Sequence, residues 1–166
     1  MTKRTQATTI VGSCLVATLA LWALSDDAQA HCQVPCGIYD DHARVDQIRE
    51  DIVTITKAVN EMAALAAKQD AQSKQQFVRW VMNKETHADR VIRTIADYFF
   101  AQKIKMPAAG DKKATSAYYE MLARHHAVLV AAMLCKQGSS MEPVNALTKA
   151  VDAIAGYWPV KTSAKK

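Results

Sequence analysis

The stretch "VDQIREDIVTITKAVNEMAALA", Val45 to Ala66, decides the fold. Its apolar residues recur three and four positions apart: Val45, Ile48, Ile52, Ile55, Val59, Met62 and Ala66. This spacing places them on one stripe of an α-helix, the stripe by which the helices of a bundle pack on one another. The stretch therefore predicts the first helix of a bundle.

Three further segments have the same periodicity, and short connections separate them. The connection before the third helix contains Pro107 and Gly110, which interrupt helices. Four amphipathic helices without a strand pattern predict an all-α protein, an up-down-up-down antiparallel four-helix bundle over residues 41–160. The later helices run from Ser73 to about Gln102, from Tyr118 to Gly138, and from Ser140, with Pro143 in the first turn, to Pro159.

The chain begins with an export pattern. Lys3 and Arg4 precede an apolar run from Ala7 to Leu24, and an Ala-x-Ala sequence ends at Ala30. A membrane-spanning helix needs about 20 apolar residues, more than the strongly apolar part of this run supplies. The pattern predicts a cleaved secretory signal peptide over residues 1–30 and export to the periplasm or extracellular space.

Composition limits the partners of the mature chain. The signal segment contains two basic and two acidic residues, so its removal leaves the formal charge at +5. This charge suits a small anionic substrate or an anionic lipid headgroup. No basic cluster is interleaved with aromatic residues, which disfavours nucleic acid as a partner. The domain is large enough to bury a core without disulfides, and the lysine-rich residues 161–166 are expected to form a disordered tail.

Cleavage behind Ala30 would expose a dense set of metal ligands in the segment 31–40. His31 would contribute an α-amine and an imidazole, followed by the thiols of Cys32 and Cys36. Two thiolates, an amine and a deprotonated amide form a planar set that suits Ni(II) or Cu(II) better than Zn(II). A disulfide between the two cysteines is the alternative in an oxidising compartment.

Other metal centres do not fit the sequence. A c-type haem needs Cys-x-x-Cys-His, and a di-iron bundle needs Glu-x-x-His on two helices. Neither pattern is present. Cys135 is expected to be a buried thiol, and the remaining histidines are expected to be structural or solvated: His42, His87, His125 and His126.

The segment "HCQVPCGIY", His31 to Tyr39, resembles the N-terminal metal hook of the nickel superoxide dismutases. "RWVMNKE" (Arg79 to Glu85) and "DYF" (Asp97 to Phe99) are similar to other segments of that family, whose fold is also a four-helix bundle. The resemblance implies one nickel ion per subunit. Its ligands would be the α-amine and imidazole of His31, the backbone nitrogen and thiolate of Cys32, and the thiolate of Cys36.

The resemblance also implies roles for neighbouring residues. Pro35 would shape the turn of the hook, and Gly37 would let the backbone pass close to the metal. Tyr39 and Tyr98 would line the approach to nickel as catalytic residues.

In the family, an arginine on the second helix and an acidic residue on the first hydrogen-bond the axial imidazole. Arg79 matches the arginine. Asp46 matches the acidic residue, with Glu50 as the alternative.

The implied activity is the conversion of superoxide to dioxygen and hydrogen peroxide by Ni(II)/Ni(III) cycling, in a homohexamer without a stable membrane anchor. Two other functions stay open. One is an exported nickel or copper chaperone that binds metal without turnover. The other is a structural helical module with a disulfide-closed N-terminus.

Overall fold

The computed structural model describes residues 39–160, and the regular structure within that range is entirely helical. A π-helical stretch, Thr94–Lys103, continues the second helix and is called the π-segment below. The prediction of an all-α protein is confirmed. The helices are α1 (Asp41–Leu65), α2 (Ala71–Arg93), α3 (Lys112–Gln137) and α4 (Met141–Ala155).

Aspartate side chains begin three of the four helices. Asp40, Asp70 and Asp111 each accept a hydrogen bond from a first-turn backbone N–H at 2.8–2.9 Å, which satisfies a donor that has no partner inside the helix. Ser140 lies at the corresponding position of α4, as predicted, but its side chain makes no such bond. Pro143, three residues later, has no N–H to donate to it.

The predicted apolar stripes of α1 and α4 form part of the core. In α1 the predicted stripe is buried from Val45 to Met62. Ala66 is exposed, because it follows the last residue of the helix. The stripe of α4 is buried throughout and consists of Val144, Leu147, Val151 and Ile154.

Contacts between helices pair the beginning of one with the end of its neighbour, as antiparallel packing requires. Side-chain contacts join α1 to α2 and the π-segment, among them Asp41–Tyr98, Asp51–His87 and Lys57–Trp80. The residue numbers rise along α1 while they fall along its neighbour. Between α1 and α4, the His42 Nδ1 atom lies 2.8 Å from the Trp158 carbonyl oxygen. The up-down-up-down order stays a prediction, and these contacts support it.

The side chain of Lys84 on α2 is buried. Its Nζ atom donates to the backbone carbonyls of Cys135 and Lys136, each at 2.6 Å, and lies 3.1 Å from a Glu85 carboxylate oxygen. The last carbonyls of a helix have no partner inside it. The Lys84 ammonium, which comes from α2, is the hydrogen-bond partner of these carbonyls. These bonds make the burial of Lys84 possible.

Among the described helices, none is long and apolar enough to cross a membrane. The predicted signal peptide at 1–30 and the predicted tail at 161–166 lie outside the described residues.

Candidate metal centre

The predicted ligands precede the described part of the chain, which begins at Tyr39. Three peptide units join Cys36 to Tyr39, so their Cα atoms can be at most about 11 Å apart. A metal bound by Cys36 would therefore be near the beginning of α1. The ligands and hook residues outside the described range are His31, Cys32, Pro35, Cys36 and Gly37.

Three polar side chains meet at the beginning of α1 and are called the Asp41 cluster: Asp41, Tyr98 and Lys103. The Tyr98 hydroxyl donates to Asp41 Oδ1 at 2.5 Å, and Lys103 Nζ lies 2.9 Å from the same oxygen. The Lys103 ammonium is also 5.9 Å from the centroid of the Tyr98 ring. The first turn of a helix favours a carboxylate, because its N–H groups carry partial positive charge.

The π-segment explains why Tyr98 and Lys103 reach one carboxylate. A π-helix closes backbone hydrogen bonds between residues five apart, and the Ile104 N–H donates in this way to the Phe99 carbonyl oxygen at 2.9 Å. Residues five apart then lie on neighbouring turns of one side, whereas the 3.6-residue turn of an α-helix would separate them. π-Helical turns occur frequently at functional sites.

Tyr98 is buried and packs edge-on against Phe99, with ring centroids 5.2 Å apart. Burial and the hydrogen bond to the Asp41 carboxylate raise the pKa of Tyr98 well above its ordinary value. Both causes disfavour the phenolate. Tyr98 therefore remains a neutral phenol at physiological pH.

Tyr39 is at the same end of the bundle, two residues before Asp41. It is about one-third exposed, and the Arg44 guanidinium carbon lies 5.3 Å from its ring centroid. The structure thus places both predicted tyrosines, Tyr39 and Tyr98, at the beginning of α1.

The structure does not bring Asp46 and Arg79 together. Asp46 is exposed and bonds Arg49 at 3.0 Å. Arg79 is exposed beside Trp80, which packs on Lys57. Lys57 is eleven residues after Asp46, a separation of about 17 Å along a helix. Asp46 and Arg79 of one chain therefore lie at different levels along the bundle. Glu50, the alternative to Asp46, is also exposed on α1.

Two histidines of the described range, His87 and His125, are bound to other side chains, and its cysteine is buried. His87 Nδ1 lies 2.6 Å from Asp51 Oδ1, and His125 accepts a hydrogen bond from the indole of Trp158 at 3.0 Å. Cys135 is buried, which raises the pKa of its thiol to about 11. Within residues 39–160, no three His, Cys, Asp or Glu side chains are grouped to bind a metal. The donors that fit nickel are the thiolates and nitrogens of residues 31–36, because these soft and strongly donating groups suit that metal.

Sequence reasoning missed Asp41 and Lys103. Asp41 is one of two consecutive aspartates at a predicted helix start, and Lys103 follows the end of the second predicted helix. Antiparallel pairing alone would place both at one end of the bundle. Their meeting on a single oxygen depends on the π-segment, which no periodicity in the sequence indicates.

A family model for nickel-containing superoxide dismutase matches residues 26–161. The match includes the predicted ligands and all four helices. Searches of curated proteins and of solved structures found no match.

Proposed function

Since this chain belongs to the nickel-containing superoxide dismutase family, we propose that its nickel ion is bound by the N-terminal donors identified in the sequence. The ligands are the α-amine and imidazole of His31, the backbone nitrogen and thiolate of Cys32, and the thiolate of Cys36. The observation that carries this proposal is the His-Cys-x-x-Pro-Cys stretch inside the family match. In this assignment Pro35 shapes the turn, and Gly37 lets the backbone pass the metal.

The protein is an oxidoreductase that acts on superoxide and uses nickel as its cofactor. When bound, nickel supplies the one-electron chemistry between Ni(II) and Ni(III), with dioxygen and hydrogen peroxide as products. The anionic thiolate and amide donors of Cys32 and Cys36 stabilise the higher oxidation state, which aqueous Ni(II) reaches only with difficulty.

The residues at the beginning of α1 control what approaches the hook. Tyr39 and Tyr98 border the approach, and Tyr98 remains a neutral phenol because its proton is held by Asp41. The formal charge of +5 attracts the anionic substrate over distances that salt limits.

The imidazole of His31 needs hydrogen-bonding partners to fix its orientation. We assign this role to Arg79 and to an acidic residue of α1, either Asp46 or Glu50. Because Asp46 and Arg79 are far apart in one chain, the assignment of both requires one of them to come from a neighbouring subunit. A homohexamer in which neighbours cover the hook would satisfy this requirement.

Export completes the proposal. Removal of residues 1–30 by signal peptidase frees the α-amine of His31 and leaves no stable membrane anchor. The enzyme would then work in the periplasm or outside the cell, and its cysteines would need nickel to escape oxidation.

The first experiment combines N-terminal sequencing, nickel analysis and a superoxide-decay assay on protein purified from an exporting host. We expect a terminus at His31, about one nickel ion per chain by the ligand count of the hook, and rapid loss of superoxide. Metal-loaded protein without turnover would instead identify a chaperone. A Cys32–Cys36 disulfide without metal would identify a structural module.

A variant with one methionine before His31 tests the ligand set directly. The extension turns the α-amine into an amide, which is a much weaker donor, so nickel content and superoxide decay should both be lost. The matched control adds a methionine after Lys166 and should retain nickel content and superoxide decay. Full nickel-dependent activity of the N-terminal extension would show that the α-amine is not a ligand.

A further inference from the structure

We infer that Asp41 and Lys103 are positioning residues of the superoxide reaction, which hold the Tyr98 hydroxyl in one place at the end of the bundle nearest the nickel ligands. The inference rests on the proposed binding of nickel by residues 31–36. It follows from the geometry of the Asp41 cluster and from the short chain that joins Cys36 to α1.

Hydrogen bonding fixes the position of the Tyr98 hydroxyl. Asp41 Oδ1 accepts from that hydroxyl at 2.5 Å and from Lys103 Nζ at 2.9 Å. The side chains of Asp41 and Lys103 are 21% and 29% exposed, so water screens their interaction less than that of a surface pair. Hydrogen bonds with an ionised partner are short and about twice as strong as neutral ones. Asp41 therefore fixes the Tyr98 hydroxyl, and Lys103 fixes the Asp41 carboxylate.

The direction of the hydrogen bond limits what the Tyr98 hydroxyl can do. A phenol has a single proton to donate, and Tyr98 donates it to Asp41. Its oxygen can then only accept a hydrogen bond from any other group. Tyr98 in this arrangement orients water near the hook and does not deliver a proton itself.

The Tyr98 hydroxyl is surrounded by charge of both signs. The charged groups that act on it are two carboxylates, Asp40 and Asp41, and two cations, Arg44 and Lys103. Without Lys103 the two carboxylates would outweigh the one guanidinium and repel an anionic substrate. Lys103 thus fixes the Asp41 carboxylate and offsets its charge where superoxide would approach.

The test uses the nickel-loaded enzyme with ¹³C-labelled tyrosine rings, together with superoxide-decay rates at several salt concentrations. Tyr98→Phe assigns the ring signal. Asp41→Asn removes the carboxylate with little change of shape, and its charge-matched control is Asp152→Asn, an exposed site on α4. Lys103→Gln removes the ammonium, and its control is Lys105→Gln, also exposed.

In Asp41→Asn the ring signal of Tyr98 should shift at neutral pH relative to the unmodified enzyme, as expected for loss of one charge-assisted hydrogen bond. The Asp152→Asn control should leave the signal in place. Lys103→Gln should lower kcat/KM and flatten its dependence on salt more than Lys105→Gln does, and Lys103→Arg should restore both.

An unchanged Tyr98 ring signal in Asp41→Asn, in an enzyme that remains active, would overturn this inference alone. If Lys103→Gln and Lys105→Gln changed kcat/KM and its salt dependence equally, the proposed role of Lys103 would be wrong. A nickel-loaded enzyme that fails to consume superoxide before any substitution would overturn the proposed function, and with it the link between the Asp41 cluster and superoxide.

Discussion

His125 lies in the core with its side chain fully buried. The indole N–H of Trp158 can only donate, so the His125 Nε2 atom, 3.0 Å away, accepts. The proton of the ring is then on Nδ1, which donates to the Met121 carbonyl oxygen at 2.8 Å. This tautomer uses both ring nitrogens, and a second proton would break the bond to Trp158.

The neutral state of His125 predicts how stability depends on pH. Burial lowers the pKa of His125 in the folded state, so below about pH 6.5 the unfolded chain binds a proton here that the folded chain does not. The free energy of unfolding should therefore fall as the pH drops from 7 towards 5, by up to about 1.4 kcal/mol per pH unit. Urea unfolding at several pH values measures this slope.

Two variants attribute the slope to one ring. His125→Gln should lose this part of the pH dependence, because glutamine does not titrate. His126→Gln changes the exposed neighbouring histidine and should keep it. An identical slope in both variants would contradict the assignment to His125.

At the scale of one element, the end of α3 depends on a side chain from α2. Replacing Lys84 by methionine keeps the apolar stem of the side chain but removes its ammonium, and two carbonyls of α3 then lose their 2.6 Å partner. We expect Lys84→Met to lower the free energy of unfolding by about 1–3 kcal/mol.

Urea unfolding tests this expectation against Lys74→Met, an exposed lysine on the same helix. The control should stay within about 0.5 kcal/mol of the original protein. Equal stability of the two variants would show that water can replace the Lys84 ammonium.

The connection between the π-segment and α3 needs a glycine at position 110. Gly110 has φ of 92°, a left-handed conformation that costs a residue with a Cβ roughly 1–2 kcal/mol. Gly110→Ala should be destabilising by about that amount. A Cβ there would meet no atom within 4 Å, so the cost comes from the backbone alone.

Gly156 is the matched control, because a Cβ there also has open space and its φ is −64°. Gly156→Ala should be neutral or stabilise by about 0.4–1 kcal/mol, since alanine restricts the unfolded chain. Gly110→Ala should lower the melting temperature, and Gly156→Ala should leave it unchanged or raise it. Equal shifts would count against the backbone explanation.

At the scale of the whole molecule, the core and the proposed metal site are formed by different parts of the chain. The buried residues of the described range come from the four helices, the π-segment and the turns that follow them, and the proposed ligands are at positions 31–36. A metal stabilises a fold only as far as it binds the folded state preferentially. Removal of nickel should therefore abolish superoxide decay but leave most of the helicity.

Circular dichroism before and after chelation measures the effect on the bundle, and thiol titration follows the cysteines. The metal-free enzyme in air should form the Cys32–Cys36 disulfide and leave Cys135 as the remaining thiol. Loss of most of the helical signal on chelation would show that the bundle depends on the metal after all.

The helices, the class of fold and the proposed metal ligands could all be predicted from the sequence. These features are local: a stripe needs only residues three and four apart, and the donors of the hook are within six consecutive residues. The spacing of α1 was sufficient to predict its buried face from Val45 to Met62, and the match over residues 26–161 agrees with the family indicated by the hook.

The contacts between side chains that are distant in sequence could be seen only in the folded chain. The contact of Asp41 with Tyr98 and Lys103, the use of Lys84 at the end of α3, and the separation of Asp46 from Arg79 all depend on how far one helix slides along another. That register results from the packing of many side chains at once and, near Tyr98, from the extra residue per turn of the π-segment. No pattern in the sequence specifies either, so the residues that surround the proposed site became visible only in the folded chain.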